Sequence, residues 1–358
     1  MNTSLPEFRG LVESARCGGW LEKLALADWL EEHGQERHKF RAHLLRLQVM
    51  MEKMVSGHGE GSPDSFQEMQ EAYDQAWNEW RTRTLAFNAE HGSPVDSEEE
   101  SWLASPTIDL PLGAYQTMRF AWVPAGTSWL GGGSVYDDEE SRPPQPGKYS
   151  FTLRKALWCG IYPVTQAEWQ SVMGNNPSHF MDRPSNPVEM VSWDDVEVFL
   201  EKLNDSGPAK GLSFRLPNEP EWEYICRGGP LSRDESMYDF TFAKSKADLT
   251  PVRSNELSSY QANFDGKYPT FYAKRGPYLA STSPVGSYTP NPLGIYDMHG
   301  NVWEWMSMET LVTVGRPIRG GGWNYGGPAC ATVNRDSFHP RTRHNNLGFR
   351  LLAVATKT

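Results

Sequence analysis

The hydrophobic pattern changes character along the chain. Between residues 5 and 52 apolar side chains recur at helical spacing. Leu21, Leu24, Leu26, Trp29 and Leu30 form one run and Phe40, Leu44, Leu45 and Leu47 a second, with Gly34 placed to stop the first. This pattern predicts a helical hairpin. A third helix is expected where Phe66, Met69, Tyr73, Trp77 and Trp80 recur three and four residues apart, with Asp64 as N-cap and the aromatic stripe in a core. The flanking stretches 56–63 and 91–101, rich in Gly, Ser and acidic residues, read as linkers.

From Met118 onward helical runs become rare, and short β-like segments alternate with Trp, Gly and Pro. Residues 118–126 read as a strand ending in a turn and 149–158 as another strand. Two amphipathic helices are predicted: 165–173, where Thr165 and Glu168 make a capping box, and one from Ser192 to Leu203. A shorter helix opens behind Pro220 with Glu221, Trp222 and Tyr224. Residues 229–283 read almost wholly as loop. Loop of that extent needs something besides a sheet to hold it, and bound cations are one way to fix irregular carbonyls.

With 38% hydrophobic and 12% aromatic residues, 358 residues suffice for at least one buried core. The net charge of -11 argues against a nucleic-acid binder or an anionic membrane-surface protein, both of which gain affinity from clustered Lys and Arg. No apolar run is long enough to span a bilayer, and the first residues lack the basic and apolar regions of a secretory signal, so cytoplasmic residence is expected. Cys17, Cys159, Cys226 and Cys330 are scattered without a CxxC pair, which suggests buried thiols rather than disulfides or zinc ligands. His33, His38 and His43 are spaced by five, about 140° apart on a helix, and do not share a face.

Leu26-Ala27-Asp28-Trp29-Leu30-Glu31-Glu32-His33-Gly34 followed by Leu44-Leu45-Arg46-Leu47-Gln48 resembles a planctomycete-type repeat-companion domain, which has no established chemistry to carry over; the N-terminal helices are expected to serve as an adaptor for a protein partner. A second resemblance covers residues 118–354. It rests on Phe120-x-Trp122-Val123-Pro124-Ala125-Gly126, Tyr162-Pro163-Val164-Thr165, Asn186-Pro187-Val188-Glu189-x-Val191-Ser192-Trp193 and Arg215-Leu216-Pro217-x-Glu219-x-Glu221-Trp222-Glu223-Tyr224. Then come Gly300-Asn301-Val302-Trp303-Glu304-Trp305, Arg319-Gly320-Gly321-Gly322-Trp323 and Asn346-Leu347-Gly348-Phe349-Arg350. In this order the motifs resemble the formylglycine-generating enzyme, or sulfatase-modifying factor, family. The resemblance implies an α+β, C-type-lectin-like fold: loop-rich twisted β-structure with few helices, here preceded by a small all-α N-terminal region. The expected division is 1–54 for the repeat-companion-like domain, 55–104 for a linker with one amphipathic helix, and 105–358 for the family domain. The resemblance further implies structural calcium near Asn263, Phe264, Gly276 and Tyr278, partly through backbone carbonyls, and again near Asn301, Val302 and Glu304.

Family oxidases hold copper with two cysteine thiolates just after the Gly-rich strand, and soft thiolates are what Cu(I) requires. Here Tyr325 stands at the first position, Cys330 is alone, and Asp336 falls where the oxidase has an active-site serine. No copper is therefore expected, nor formylglycine production. The H-x3-E-H iron motif of another enzymatic branch is also missing from the N-terminal region.

A third branch of the fold binds macromolecules through a variable surface before the terminal Gly-Phe-Arg. Residues 324–346 contain no Lys, Glu, Gln, Met or Trp, the residues that randomising the adenines of an AAC codon cannot produce, so retroelement diversification is one reading of this segment. Scattered basic residues on a solvated loop are the other. Tyr325, Phe338, His339, Arg341, Arg343 and His344, with Asn324, Asn334 and Asp336, would supply aromatic area and guanidinium donors for a protein or other ligand. The expectation is a non-catalytic binding domain without nucleic-acid or membrane partners. The alternative is an oxidoreductase of the same family acting on a sulfur-containing substrate through Cys330.

Overall fold

The computed structural model describes residues 20–33, 36–55, 66–77, 79, 107–112, 116–134, 144–207, 209, 211–308 and 315–356. The linkers expected at 56–63 and 91–101, the stop at Gly34, the cap at Asp64, and Trp80 and Cys17 lie outside these residues.

Helices α1 (Trp20–His33) and α2 (Glu36–Val55) form the predicted hairpin. Leu26, Ala27 and Leu30 pack against Ala42, whereas Leu21 is 80% exposed and takes no part in the stripe. The opposite face of α2 carries Leu44, Leu47, Met51 and Met54 into the main core. There they join Phe66 and Tyr73 from the helix over 66–77, here α3, and the inward residues of strand β1 (Thr107–Leu112). Tyr73 meets Trp122 edge to face at 5.1 Å, and Gln70 donates to the Ala156 carbonyl at 2.7 Å. One hydrophobic core thus crosses the boundaries expected near 54 and 104.

That core lies on a five-stranded antiparallel sheet. Its order is β1, β2 (Gln116–Val123), β5 (Leu157–Gly160), β13 (Leu352–Ala355), β6 (Leu212–Arg215). The single strand expected over 149–158 is two strands in two sheets. Arg154 and Lys155 are exposed and break the run, so β4 (Tyr149–Leu153) pairs with β3 (Gly126–Leu130) while β5 pairs with β2. Residues 229–283 also contain a hairpin that the sequence reading missed, β7 (Phe240–Ala243) with β8 (Pro251–Ser254).

The second sheet has four strands in the order β11 (Asp336–Phe338), β10 (Arg316–Arg319), β9 (Trp303–Trp305), β12 (Leu347–Gly348). Strand β12 runs parallel to β9, with Leu347 opposite Trp303 and Gly348 opposite Glu304. Gly348 has no alternative there, because a Cβ would sit 2.5 Å from the Val188 carbonyl oxygen. Only Phe349, Arg350 and Leu351 separate β12 from β13, so the chain passes between the two sheets at this point. Phe349 is wedged at that junction between Trp169 and Phe199.

Three helices brace the sheets. Helix α4 (Gln166–Met173) starts at the predicted Thr165/Glu168 capping box and ends at Gly174, whose φ of 80° suits glycine. Helix α5 (Trp193–Asp205) starts at a Ser192/Asp195 box, and α6 (Glu219–Cys226) at an Asn218/Glu221 box. No described helix is long and apolar enough to cross a membrane. The whole is the α+β, C-type-lectin-like architecture expected from the sequence, with one antiparallel and one mixed sheet and much ordered loop.

Candidate functional site

Most of the motif side chains hold the fold together. Arg350 is fully buried; its Nε and Nη2 donate to the Glu304 carboxylate at 2.7–3.0 Å, and Nη1 and Nη2 donate to the carbonyls of Gly160 and Tyr296. Trp222 Nε1 donates to the same carboxylate at 2.8 Å. The next residue, Glu223, accepts from Arg227, Arg319 and the Gly131 amide. A buried guanidinium or carboxylate is tolerated when its lone pairs and protons are matched; here each of these charges has an opposite charge in direct contact, and only the Arg319 Nε is left without a hydrogen bond.

The position where a catalytic thiolate would stand is closed. Tyr325 is half-buried with its ring edge-on to Trp303 at 5.5 Å. Cys330 is buried under Gly321, where a Cβ would lie 2.7 Å from Sγ, and burial pushes its thiol pKa up. Gly321 has a φ of 78°, so both its conformation and the sulfur require glycine. Cys226 lies 3.7 Å from His299 Nε2 and 3.5 Å from Thr332 Oγ1. His299 Nδ1 lies 2.8 Å from the Cys330 carbonyl and so carries the ring proton, leaving Nε2 as acceptor. Burial holds His299 down to about 4 and pushes Cys226 up to about 12, so the proton stays on sulfur and no thiolate–imidazolium pair forms. Among the described residues no three His, Cys, Asp or Glu side chains cluster as metal ligands, and the donors at 325 and 330 do not suit copper.

The two sets of residues associated with calcium differ. At the second, Asn301 exchanges hydrogen bonds with Asn263 and with the Ser283 backbone, and the Glu304 carboxylate is taken by Arg350 and Trp222. Val302 is buried beside them. These side chains offer no open oxygen. The first set is different. Asn263 Oδ1 and the nearby Ser259 Oγ are buried without hydrogen-bond partners among the described residues. Oxygens also converge on Gly266, where a Cβ would lie 2.1 Å from Ser259 Oγ and 2.5 Å from the carbonyl oxygens of Gly276 and Pro277. Phe264 is buried, and Tyr278 stacks on Trp323 at 6.1 Å.

The residues expected to bind a ligand are only partly free. Asn324, Asp336, His339, Arg341, Arg343 and His344 are exposed. Asn334 is structural: its amide donates to the Ala329 carbonyl and accepts from the Arg335 amide. Phe338 is half-buried between Trp305 and His344. Arg343 grips Asp195 at the start of α5 through two 2.8 Å hydrogen bonds, and Arg341 Nε lies 3.7 Å from Asp194. The segment therefore splits into an anchored strip along α5 and an edge around Asn324.

That edge continues onto a loop that the sequence reading associated only with calcium and not with ligand recognition. The Asp265 amide donates to the Tyr325 carbonyl at 2.8 Å, and the Gly327 amide to the Tyr268 carbonyl at 2.7 Å. Trp323 joins the two, stacking on Tyr278 and donating from Nε1 to the Asn345 carbonyl. The available signal was aromatic density without periodicity: Tyr260, Phe264, Tyr268, Phe271, Tyr272 and Tyr278 within nineteen residues.

The chain is similar to several known proteins. The chain is 31% identical over 209 residues to the chaperone protein LppX of Paenibacillus barcinonensis, covering 47% of this chain and 69% of that one. It is 31% identical over 206 residues to the formylglycine-generating enzyme of Streptomyces coelicolor, covering 52% of this chain and spanning 58% of that enzyme's length. Among solved structures, Treponema denticola variable protein 1 aligns with 69% of this chain and 98% of its own at 23% identity and a TM-score of 0.49. With the sulfatase-modifying factor enzyme 1-like domain matched over residues 113–355, from just past β1 to the end of β13, the chain belongs to that family.

Proposed function

We propose that this chain is a binding module of its family, one that recognises a protein or other macromolecular ligand through the exposed part of residues 324–345 and does not carry out thiol oxidation. One observation carries the reading. At the place where a copper thiolate would be required there is a tyrosine ring packed on Trp303, and Cys330 is sealed beneath Gly321. The exposed side chains of this segment that lie outside the strip anchored on α5, Asn324 foremost, are the ones free to vary with the ligand, whether or not the gene is diversified. The Cys226–His299 contact is the feature that favours an oxidoreductase instead. Its neutral, buried state supports the binding reading. The test is direct: purified chain is titrated with Cu(I) and mixed with a cysteine-containing peptide in an oxygen electrode. Neither stoichiometric copper binding nor oxygen uptake is expected; both together would establish the oxidoreductase.

The same reading includes a structural calcium ion at the first set of donors. Asn263 Oδ1, Ser259 Oγ and the carbonyls of Gly276 and its neighbours are hard oxygen donors on irregular backbone, the chemistry Ca²⁺ prefers. When bound, the ion would fix the loop that adjoins the binding edge.

A further inference from the structure

The loop over 260–279 is apolar and basic on a chain that is neither. Tyr272 is 94% exposed, Tyr268 62%, Tyr260 60% and Phe271 50%. Exposed aromatic rings at this density exceed the scattered apolar residues of an ordinary surface and are the side chains that anchor interfaces. Within the same residues Lys267, Lys274 and Arg275 stand against one acid, Asp265, although the whole chain carries -11. None of the three has a carboxylate partner among the described residues. By contrast Arg343, on the adjoining segment, is paired with Asp195 and Arg341 approaches Asp194. Lys274 lies 5.4 Å over the Tyr260 ring and Lys267 5.3 Å over the Tyr278 ring, so two ammonium groups are already positioned beside aromatic faces.

We propose that this loop and the adjoining edge at Asn324 form one recognition surface, and that its partner is an acidic peptide segment of another protein carrying apolar side chains among its carboxylates. The proposal rests on the binding-module reading above. The cations would pair with carboxylates, and the tyrosine and phenylalanine rings would cover the intervening apolar side chains. A polyanion such as nucleic acid fits less well. Three clustered cations release few counterions, and a net charge of -11 repels a polyelectrolyte at long range. A carboxylate-rich peptide needs only the local field.

The test uses the whole chain, immobilised, and a display library of random dodecapeptides; selected sequences are then synthesised with a fluorophore for anisotropy titration. The expected result is enrichment of Asp and Glu beside apolar residues. Affinity should fall at least tenfold in Lys267→Glu/Lys274→Glu and in Tyr272→Ala, and fall with salt in the unaltered chain. Lys274→Arg should retain binding, and thermal melting should show all variants folded, as their exposure predicts. Selection of neutral or basic peptides overturns the proposal and leaves the binding-module reading in place. So does binding that survives the loop variants but is lost in His344→Ala. Failure to enrich any sequence overturns the proposal, as does tighter binding of a single-stranded oligonucleotide or heparin than of any peptide. Copper binding with oxygen uptake is the separate result that removes the underlying reading.

Discussion

Glu304 and Arg350 show why the motif residues are what they are. Each is buried, and removing one leaves the other's charge without water or counter-charge, a loss of about 3–5 kcal/mol. Arg350→Met should cost that much in a urea unfolding curve, and Arg350→Met/Glu304→Leu distinctly less than Arg350→Met alone. A double variant no more stable than the single one would mean the pair is not the cause. Two other buried groups pull stability in opposite directions with pH. His299 is held down to about 4, below its ordinary 6.5, so its contribution is full above pH 6.5 and lost as pH falls towards 4. Burial first, against hydrogen bonds from Thr165, leaves Glu168 pushed up to about 7 from 4.5. Its contribution is full below pH 4.5 and lost as pH rises through 7. Between pH 4.5 and 6.5 the two offset. His299→Gln should therefore flatten the acid side of the stability–pH curve. Glu168→Gln should gain on the unaltered protein between pH 4.5 and 7, each change being on the order of 3 kcal/mol. Parallel curves for variant and parent would remove the assignment.

Among the elements, legibility followed locality. The capping boxes at Thr165/Glu168 and Ser192/Asp195 are written within four residues, so helices α4 and α5 could be read directly. The helical hairpin and the stripe Phe66–Tyr73 were equally local. Strand pairing is not: whether 149–158 makes one strand or two depends on β2 and β3, which lie elsewhere in the chain. The same holds for the candidate site. The missing cysteine at Tyr325 was plain in the sequence, but the engagement of Arg343 by Asp195 and of Asn334 by Ala329, and the apposition of Tyr268 to Gly327, exist only after folding. The loop 258–281 has little regular hydrogen bonding of its own, so an ion there should matter. Dialysis against EDTA is expected to lower the melting temperature and millimolar calcium to restore it. A site filled to about 100 times its dissociation constant would contribute roughly 2.7 kcal/mol. Asn263→Ala should abolish the response, and an unchanged melting temperature with EDTA would exclude the ion.

On the scale of the whole molecule, the N-terminal helices are not appended to the family domain but packed into it, since α2 and α3 complete the core above β1 and β2. The proposed binding edge is built from loop, and its exposed side chains, such as Asn324 and Tyr272, can change with small effect on the core, whereas Tyr325 and Phe338 of the same segment pack against that core. The segment Leu347–Ala355 has a different importance. It supplies the edge strand β12 to one sheet and the strand β13 between β5 and β6 to the other, and Arg350 reaches back to the carbonyl of Gly160. During synthesis neither sheet can close until these residues have left the ribosome. The nascent chain must therefore hold β5, β6 and β9 unpaired on that side while nearly the whole domain is made, a period in which its exposed edges invite aggregation. The two sheets should complete only after this segment emerges, and a nascent chain stalled before Leu347 should remain protease-sensitive.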